Sequence, residues 1–272
     1  YQPFRPYLQP SRYKDNKDLL KRLRELRNEG RLNALQMRLL FADRRAGEEL
    51  YDLKNDPFET RNVVEDPDFT RQRETLRQQL DRHLISTRDA GFLPEPLIAE
   101  IAGGPQTIYD YCRSDETYPI RYIVEVASLA IAADADQLPR LRQELRHDNR
   151  IVRYWAAVGL RILGGEATPA ESDLRTALSD TDASVRITVA ATLAELGQRD
   201  AMVSFLLHEA ASAQDDAHAL WALDAIKFLD VPDVVQRYSQ DELVHGEYSG
   251  RTVDFLLKGG EVFGSGTDYW NP

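Results

Sequence analysis

The apolar positions in the second half of the chain recur with a period of 33 residues. Repeats of this length are typical of helical arrays in which every copy packs on the next. The recurring positions, each with its counterpart 33 residues later, are Leu141/Leu174, Leu145/Leu178, Val152/Val185, Arg153/Arg186, Ala157/Ala190, Leu160/Leu193, Leu163/Leu196 and Gly164/Gly197. A third copy keeps apolar residues at 207, 211, 223, 226 and 229, but His218-Ala219 replaces its Val-Arg pair. Residues 120–131 resemble a degenerate first copy.

Each copy predicts two antiparallel helices joined by a polar turn. The first helix, helix A, spans about ten residues, and turns rich in Asp and Asn follow at 148–149, 180–182 and 215–216. Such side chains cap helix N-termini, so the second helix, helix B, is predicted to begin at the Val-Arg pair and to end at the glycine. Small residues at 156–157 and 190–191 predict that helix backbones approach each other closely.

The first ninety residues follow other patterns. Apolar stripes predict one helix from Asp15 or Asn16 to about Asn28, a short one from Asn33, and a longer one over about 67–89. Between them, Glu49–Leu53 alternates polar and apolar residues, which predicts a half-buried strand. The following Asn-Asp-Pro predicts a turn.

The remaining segments are punctuated by Gly and Pro. Residues 91–105 contain three of each and are predicted to form a linker. Residues 238–272 are rich in Gly and are predicted to form an irregular C-terminal cap. The predicted organisation is therefore mainly α: a small first domain over 1–90, a linker over 91–105, helical repeats over 106–237 and a cap over 238–272.

Charge and composition exclude some classes of function. The net charge of −11 and the pI near 5.0 argue against a nucleic-acid binder. The charge is uneven, because residues 1–45 hold twelve Lys or Arg and five Asp or Glu, a net +7 that leaves −18 for the rest. A basic edge of this kind attracts anions or lies as a solvated helix face. No stretch approaches the ~18 apolar residues of a membrane span, and the start at Tyr1 without a leader pattern suggests a processed or truncated chain.

The residue types that carry chemistry do not form a recognisable site. Cys112 is the only cysteine, so no internal disulfide or cysteine-based zinc cluster is predicted; it is interpreted as a core residue. The acidic pairs Asp134/Asp136 and Asp180/Asp182 lack the Gly and distant Glu of a calcium loop and are interpreted as helix caps. The histidines are scattered, at His83, His147, His208, His218 and His245. We therefore predict no catalytic, cofactor-binding or metal-binding residue in this chain.

A 15-residue run, Glu48–Asn62, carries a more specific signal. Its Leu-Tyr-Asp-Leu followed by Asp-Pro-Phe-Glu and then Asn resembles a signature near the C-terminal end of type I sulfatases, which share the alkaline-phosphatase fold. The likeness extends over residues 1–90, which are similar to the small α+β C-terminal subdomain of sulfatases related to the heparan N-sulfatases. Residues 105–230 resemble HEAT repeats of the short bacterial kind.

The resemblance also implies what this chain lacks. Type I sulfatases act through a formylglycine made from Cys or Ser in a Cys/Ser-X-Pro-X-Arg context, beside a calcium ion held by Asp and Asn. Cys112-Arg113-Ser114-Asp115 has neither the Pro nor the spaced Arg. The calcium and the catalysis are thus expected in a missing N-terminal domain, and this chain is expected to be inactive alone.

Two functions remain open at this stage. In the first, the chain is the C-terminal, non-catalytic region of a periplasmic or secreted sulfatase, a sulfuric ester hydrolase whose own N-terminal domain is its partner. In the second, it is a stand-alone HEAT scaffold that binds a protein partner. A sulfated polysaccharide is a further expected partner, and the sequence leaves the substrate, the compartment and the oligomeric state undetermined.

Overall fold

The computed structural model describes residues 17–42, 46–227, 229 and 240–257. Over these residues the chain is mainly helical, and none of them lies in a β-strand. The chain divides into two compact units, residues 1–86 and 87–272. The predictions made for the first 16 residues, and those for residues 238–239 and 258–272 of the C-terminal cap, lie outside the described residues. The described part of the cap is mostly helical, so the prediction of an irregular segment is wrong there.

Over its described residues, 17–42 and 46–86, the first unit contains three α-helices: α1 (Asp18–Asn28), α2 (Ala34–Phe41) and α3 (Thr70–Thr87). Asn33 and Gln36 form a reciprocal capping box at the start of α2, with both hydrogen bonds at 2.9 Å. A single turn of 3₁₀-helix, Pro67–Phe69, leads into α3. None of the three helices contains a fully buried residue. Leu20, Leu23 and Leu26 of α1 are half-buried, whereas Leu76 and Leu80 of α3 are exposed.

The strand predicted over Glu49–Leu53 is wrong. Residues 48–52 have no regular secondary structure. Apart from the turn at 52–56, the one backbone hydrogen bond that links them to a later segment among the described residues runs from Val63 N to Leu50 O. The Asn62 side chain makes the other two links, accepting from Leu50 N and donating to Glu48 O. A β-ladder needs repeated backbone pairs, so alternation of apolar residues alone does not produce a strand here. The small α+β subdomain is accordingly not seen.

The turn that follows is well defined. The Asp56 carboxylate accepts hydrogen bonds from Thr60 Oγ1 at 3.0 Å and from Arg61 N at 2.7 Å. Hydrogen bonds from the backbone N–H groups of Thr60 and Arg61 hold the pKa of Asp56 below its usual value. The polar residues of the Glu48–Asn62 run therefore fold the run onto itself.

The second unit contains eleven α-helices among its described residues. They are α4 (Glu95–Ala102), α5 (Ile108–Arg113), α6 (Ile120–Ile131), α7 (Leu138–Glu144), α8 (Arg150–Leu163), α9 (Glu171–Ala177), α10 (Ala183–Leu193), α11 (Arg199–Ala211), α12 (Asp216–Lys227), α13 (Gln240–Leu243) and α14 (Glu247–Leu257). Short 3₁₀ segments precede α4, α7 and α9. Residues Ala194–Gln198 join α10 to α11 through a kink at Gly197, whose φ is 105°.

These helices form the predicted repeats. Helices α7, α9 and α11 are the A helices, and α8, α10 and α12 are the B helices that follow them. Each B helix packs on its own A helix, and α6, α8, α10 and α12 pack side by side in a B layer. The core between the two layers consists of the recurring apolar positions, including Leu141, Leu174 and Leu207. The repeat prediction is therefore confirmed in its architecture.

The polar turns act as predicted. The Asn149 side chain accepts from Ile151 N at 3.0 Å and Val152 N at 3.3 Å, and Asp182 accepts from Ser184 N at 2.8 Å. These caps satisfy backbone donors that a helix start leaves unpaired. The B helices consequently begin two residues before the Val-Arg pair.

One glycine sits where two helices of the B layer nearly touch. A Cβ on Gly159 of α8 would lie 3.0 Å from the Ala130 Cα of α6 and 2.7 Å from Leu141 Cδ2. Backbone cannot move aside as a flexible side chain can, so this close approach requires glycine.

The segment 91–105, predicted as a linker, contains helix α4. Its prolines and glycines mark the ends of that helix, with Pro94 as N-cap, Pro96 in the first turn and Gly103 as C-cap. Leu97 and Ile101 of α4 are buried.

Candidate functional site in the helical array

The arginine of each Val-Arg pair joins one repeat to the next. Arg153 binds the Asp180 carboxylate through Nε at 2.7 Å and Nη2 at 2.8 Å, while its Nη1 donates to His147 O and Asp148 O. Arg186 repeats the arrangement with Glu209, through Nε and Nη2 at 2.8 Å each, and donates from Nη1 to its own turn. Such two-point pairs fix both distance and angle. Each arginine–carboxylate ion pair thus helps to fix the position of one repeat against the next.

In the third copy, which has no Val-Arg pair, His218 binds the same Glu209 carboxylate from within its own repeat. His218 Nε2 lies 3.2 Å from Glu209 Oε2, so Glu209 is held by an arginine and a histidine. The Glu209 side chain is only 8% exposed. Burial alone would raise the pKa of Glu209, but hydrogen bonds from His218 and Arg186 and the arginine charge lower it from 4.5 to about 2. Glu209 is therefore ionised at neutral pH.

An aromatic group lies on the B helices. Trp155 of α8 donates from Nε1 to Phe92 O at 3.0 Å, and the two rings meet edge to face at 5.8 Å. Tyr154 lies 5.7 Å from the Trp155 ring and 6.5 Å from the Trp221 ring of α12. All of these distances are typical of aromatic pairs.

The structure separates the residues considered as chemistry candidates. Cys112 is buried in α5, and burial raises the pKa of its thiol, as for an unreactive core cysteine. Asp134 accepts from Asp136 N at 3.0 Å in a helix start, Asp180 pairs with Arg153, and Asp182 caps α10.

The histidines are not brought together either. His147 accepts from Asn149 N through Nδ1 at 2.9 Å and stacks near Tyr122, and His218 binds Glu209. His245 lies beside Ser249 at the start of α14, where Asp216 of α12 accepts from Tyr248 N and Ser249 N. His83 and His208 are exposed on α3 and α11.

The donor set does not fit the calcium ion that the sulfatase resemblance implies. Among the residues that the structure describes, no three His, Cys, Asp or Glu side chains converge as metal ligands. We therefore assign no step of metal chemistry to these residues. In the same part of the chain, no helix combines the length and the apolar character needed to cross a membrane.

A family model covers part of the helical array. Residues 138–227 match the family model for HEAT repeats, so the array is HEAT-like over α7 to α12. No solved structure matches the chain significantly.

A curated relative adds a more particular likeness. The chain is 37% identical over 108 residues to an ulvan-active sulfatase of Formosa agariphila. The match covers 39% of this chain and 18% of that relative. It is thus a partial likeness to a much longer protein, and it links this chain to a sulfatase only over the matched stretch.

Proposed function

We propose that this chain is the non-catalytic C-terminal region of a sulfatase. In this proposal the first unit supports a catalytic domain that lies outside this chain and holds the calcium ion. The repeats add an interaction surface. The observation that carries the proposal is the partial identity to a sulfatase, together with the Glu48–Asn62 run that resembles a sulfatase signature.

The first unit supports the proposal through its exposed apolar side chains. Phe58 is 85% exposed and Leu19 is 70% exposed, although both are apolar. Leu76 and Leu80 lie one turn apart on α3 and are also exposed. Leu76 and Leu80 share one face of α3, and exposed apolar side chains on one face favour a contact with another domain. The occupant we propose is the catalytic α/β domain of the same gene product.

The proposal extends to the substrate class. The relative is named for activity on ulvan, and a sulfated polysaccharide is polyanionic. The basic first 45 residues, with a net charge of +7, suit a long anionic substrate near the catalytic domain. On this proposal the parent protein is exported, to the periplasm or outside the cell.

The test is association in trans. A catalytic domain encoded upstream, expressed separately, should bind this chain and lose binding at least tenfold with Leu80→Asp. Gln79→Asp adds the same charge at the neighbouring exposed position and should bind like the wild type. Equal binding by both variants would refute the contact, and an upstream reading frame without Cys/Ser-X-Pro-X-Arg would refute the parentage.

The second candidate is a HEAT scaffold that binds a protein partner. It is favoured by the HEAT-repeat match over 138–227 and by the regular stacking of α7 to α12. A reading frame that starts at or just before Tyr1 would favour it over the sulfatase proposal.

A further inference from the structure

Helix α4 contacts the next helix in sequence, α5, and also lies across the distant B helices. It packs on α10 and α12, which follow it by more than 80 residues. The 3₁₀ segment before α4, Ala90–Phe92, reaches α8, because Phe92 O accepts a hydrogen bond from the Trp155 indole N–H at 3.0 Å. At its other end Glu100 pairs with Arg150 of α8 at 2.9 Å. One short helix thus touches three successive repeats.

The burial pattern of α10 shows which side α4 covers. From Ser184 to Leu193, every residue of α10 except Arg186 is buried. Helices α8 and α12 flank α10 within the B layer, and α9 and α11 cover its inner side. The side that remains is the outer face of the B layer, called here the B face, and α4 packs on it. An edge-exposed helix would instead keep a polar side.

The contact is apolar at its centre and polar at its ends. Leu97 is 2% exposed, and Pro96 and Ile101 beside it are also buried. The indole hydrogen bond and the Glu100–Arg150 pair lie outside this apolar centre. A buried apolar anchor with polar groups around it is the usual arrangement of a helix bound in a groove.

Arrays of stacked repeats bind partners along an extended face of this kind. We propose that the B face is a groove for a short amphipathic helix and that α4 fills it in cis, so that outside partners are excluded from it. The proposal is independent of the sulfatase parentage. A tethered segment has an effective concentration of about 1 mM, so a free copy of α4 at micromolar concentration cannot displace it.

The experiment uses the full chain and a fluorescent peptide of residues 88–104. Leu97→Asp places a charge in the apolar centre and should release α4, so this variant should bind the peptide at least tenfold more tightly than the wild type. Ala102→Asp adds the same charge at an exposed position of α4 and should behave like the wild type. Equal peptide binding by the wild type and Leu97→Asp, or binding by neither folded protein, would overturn the proposal.

A second measurement covers the case in which Leu97→Asp does not fold. Hydrogen exchange of the wild-type chain should show α4 amides protected by at least about a hundredfold relative to an unstructured peptide, because a helix that fills its groove is rarely released. Protection of α4 below about a hundredfold, with α10 still protected, would mean that the face is commonly open, and it would overturn the proposal by itself.

Discussion

Replacing Glu209 by Gln removes one charge from a buried ion pair between repeats. The carboxylate accepts two hydrogen bonds of 2.8 Å from Arg186 and lies 3.2 Å from His218 Nε2. Gln has one acceptor oxygen in place of two and leaves the Arg186 guanidinium charge without its partner. Removing one member of a buried pair typically costs about 3–5 kcal/mol.

The pKa gives an independent magnitude. A shift from 4.5 to about 2 corresponds to about 3 kcal/mol of stabilisation by the ionised form. Because the pKa is lower in the folded chain, this stabilisation is complete above pH 4.5 and is lost as the pH falls from there through 2. The cost of breaking a buried ion pair and the stabilisation from the lowered pKa are similar in size. We therefore expect Glu209→Gln to lower the free energy of unfolding by about 3 kcal/mol at pH 7.

Urea unfolding followed by tryptophan fluorescence measures this effect, because Trp155 and Trp221 lie in the array. The difference between variant and wild type should shrink to about 1 kcal/mol at pH 3. Glu247→Gln is the matched control: it removes the same charge from an exposed pair with Arg251 and should cost less than about 1 kcal/mol. A cost for Glu209→Gln below that of the control, or one that does not depend on pH, would refute the reasoning.

Three further predictions concern the packing and the caps, each measured by the same unfolding experiment. Gly159→Ala gains about 1 kcal/mol of helix propensity but forces a Cβ against the Ala130 backbone at 3.0 Å, an overpacking that costs about 1–3 kcal/mol; a net loss of stability is expected, and a gain would contradict the close approach. Asn149→Ala should lower the free energy of unfolding by about 1 kcal/mol, because it removes the acceptor of two N–H groups at the start of α8. Asn149→Asp keeps an acceptor at this position and should retain most of that stability. Ser184→Ala should be neutral or stabilising by up to ~2 kcal/mol, because the buried Ser184 hydroxyl has no hydrogen-bond partner; a clear loss would show that the hydroxyl is paired.

The repeats were predictable because their signals are redundant. A helical period, a cap and a terminal glycine all point to the same B helix, and the period of 33 then fixes its neighbour. The one systematic error was small, since the caps start α8 and α10 two residues before the Val-Arg pairs. The role of Arg153 and Arg186 was missed. Their recurrence with acidic residues 23 to 27 positions later was the available signal.

The strand and the linker show where local pattern stops being informative. The alternation over Glu49–Leu53 is compatible with a strand, but only pairing with another strand creates one, and Asn62 supplies side-chain links instead. Residues 91–105 were predicted as a linker because of their prolines and glycines, which here begin and end α4. That α4 packs on α12 depends on contacts far apart in sequence, which no local window contains.

We propose that this chain supports sulfatase catalysis performed elsewhere, and release of inorganic sulfate tests this proposal most directly. Two purified proteins are compared on a sulfated polysaccharide: this chain alone, and the longer gene product that the proposal requires, with an upstream Cys/Ser-X-Pro-X-Arg segment. The account predicts sulfate release by the longer protein over many turnovers and only background from this chain. Repeated turnover by this chain alone would contradict it.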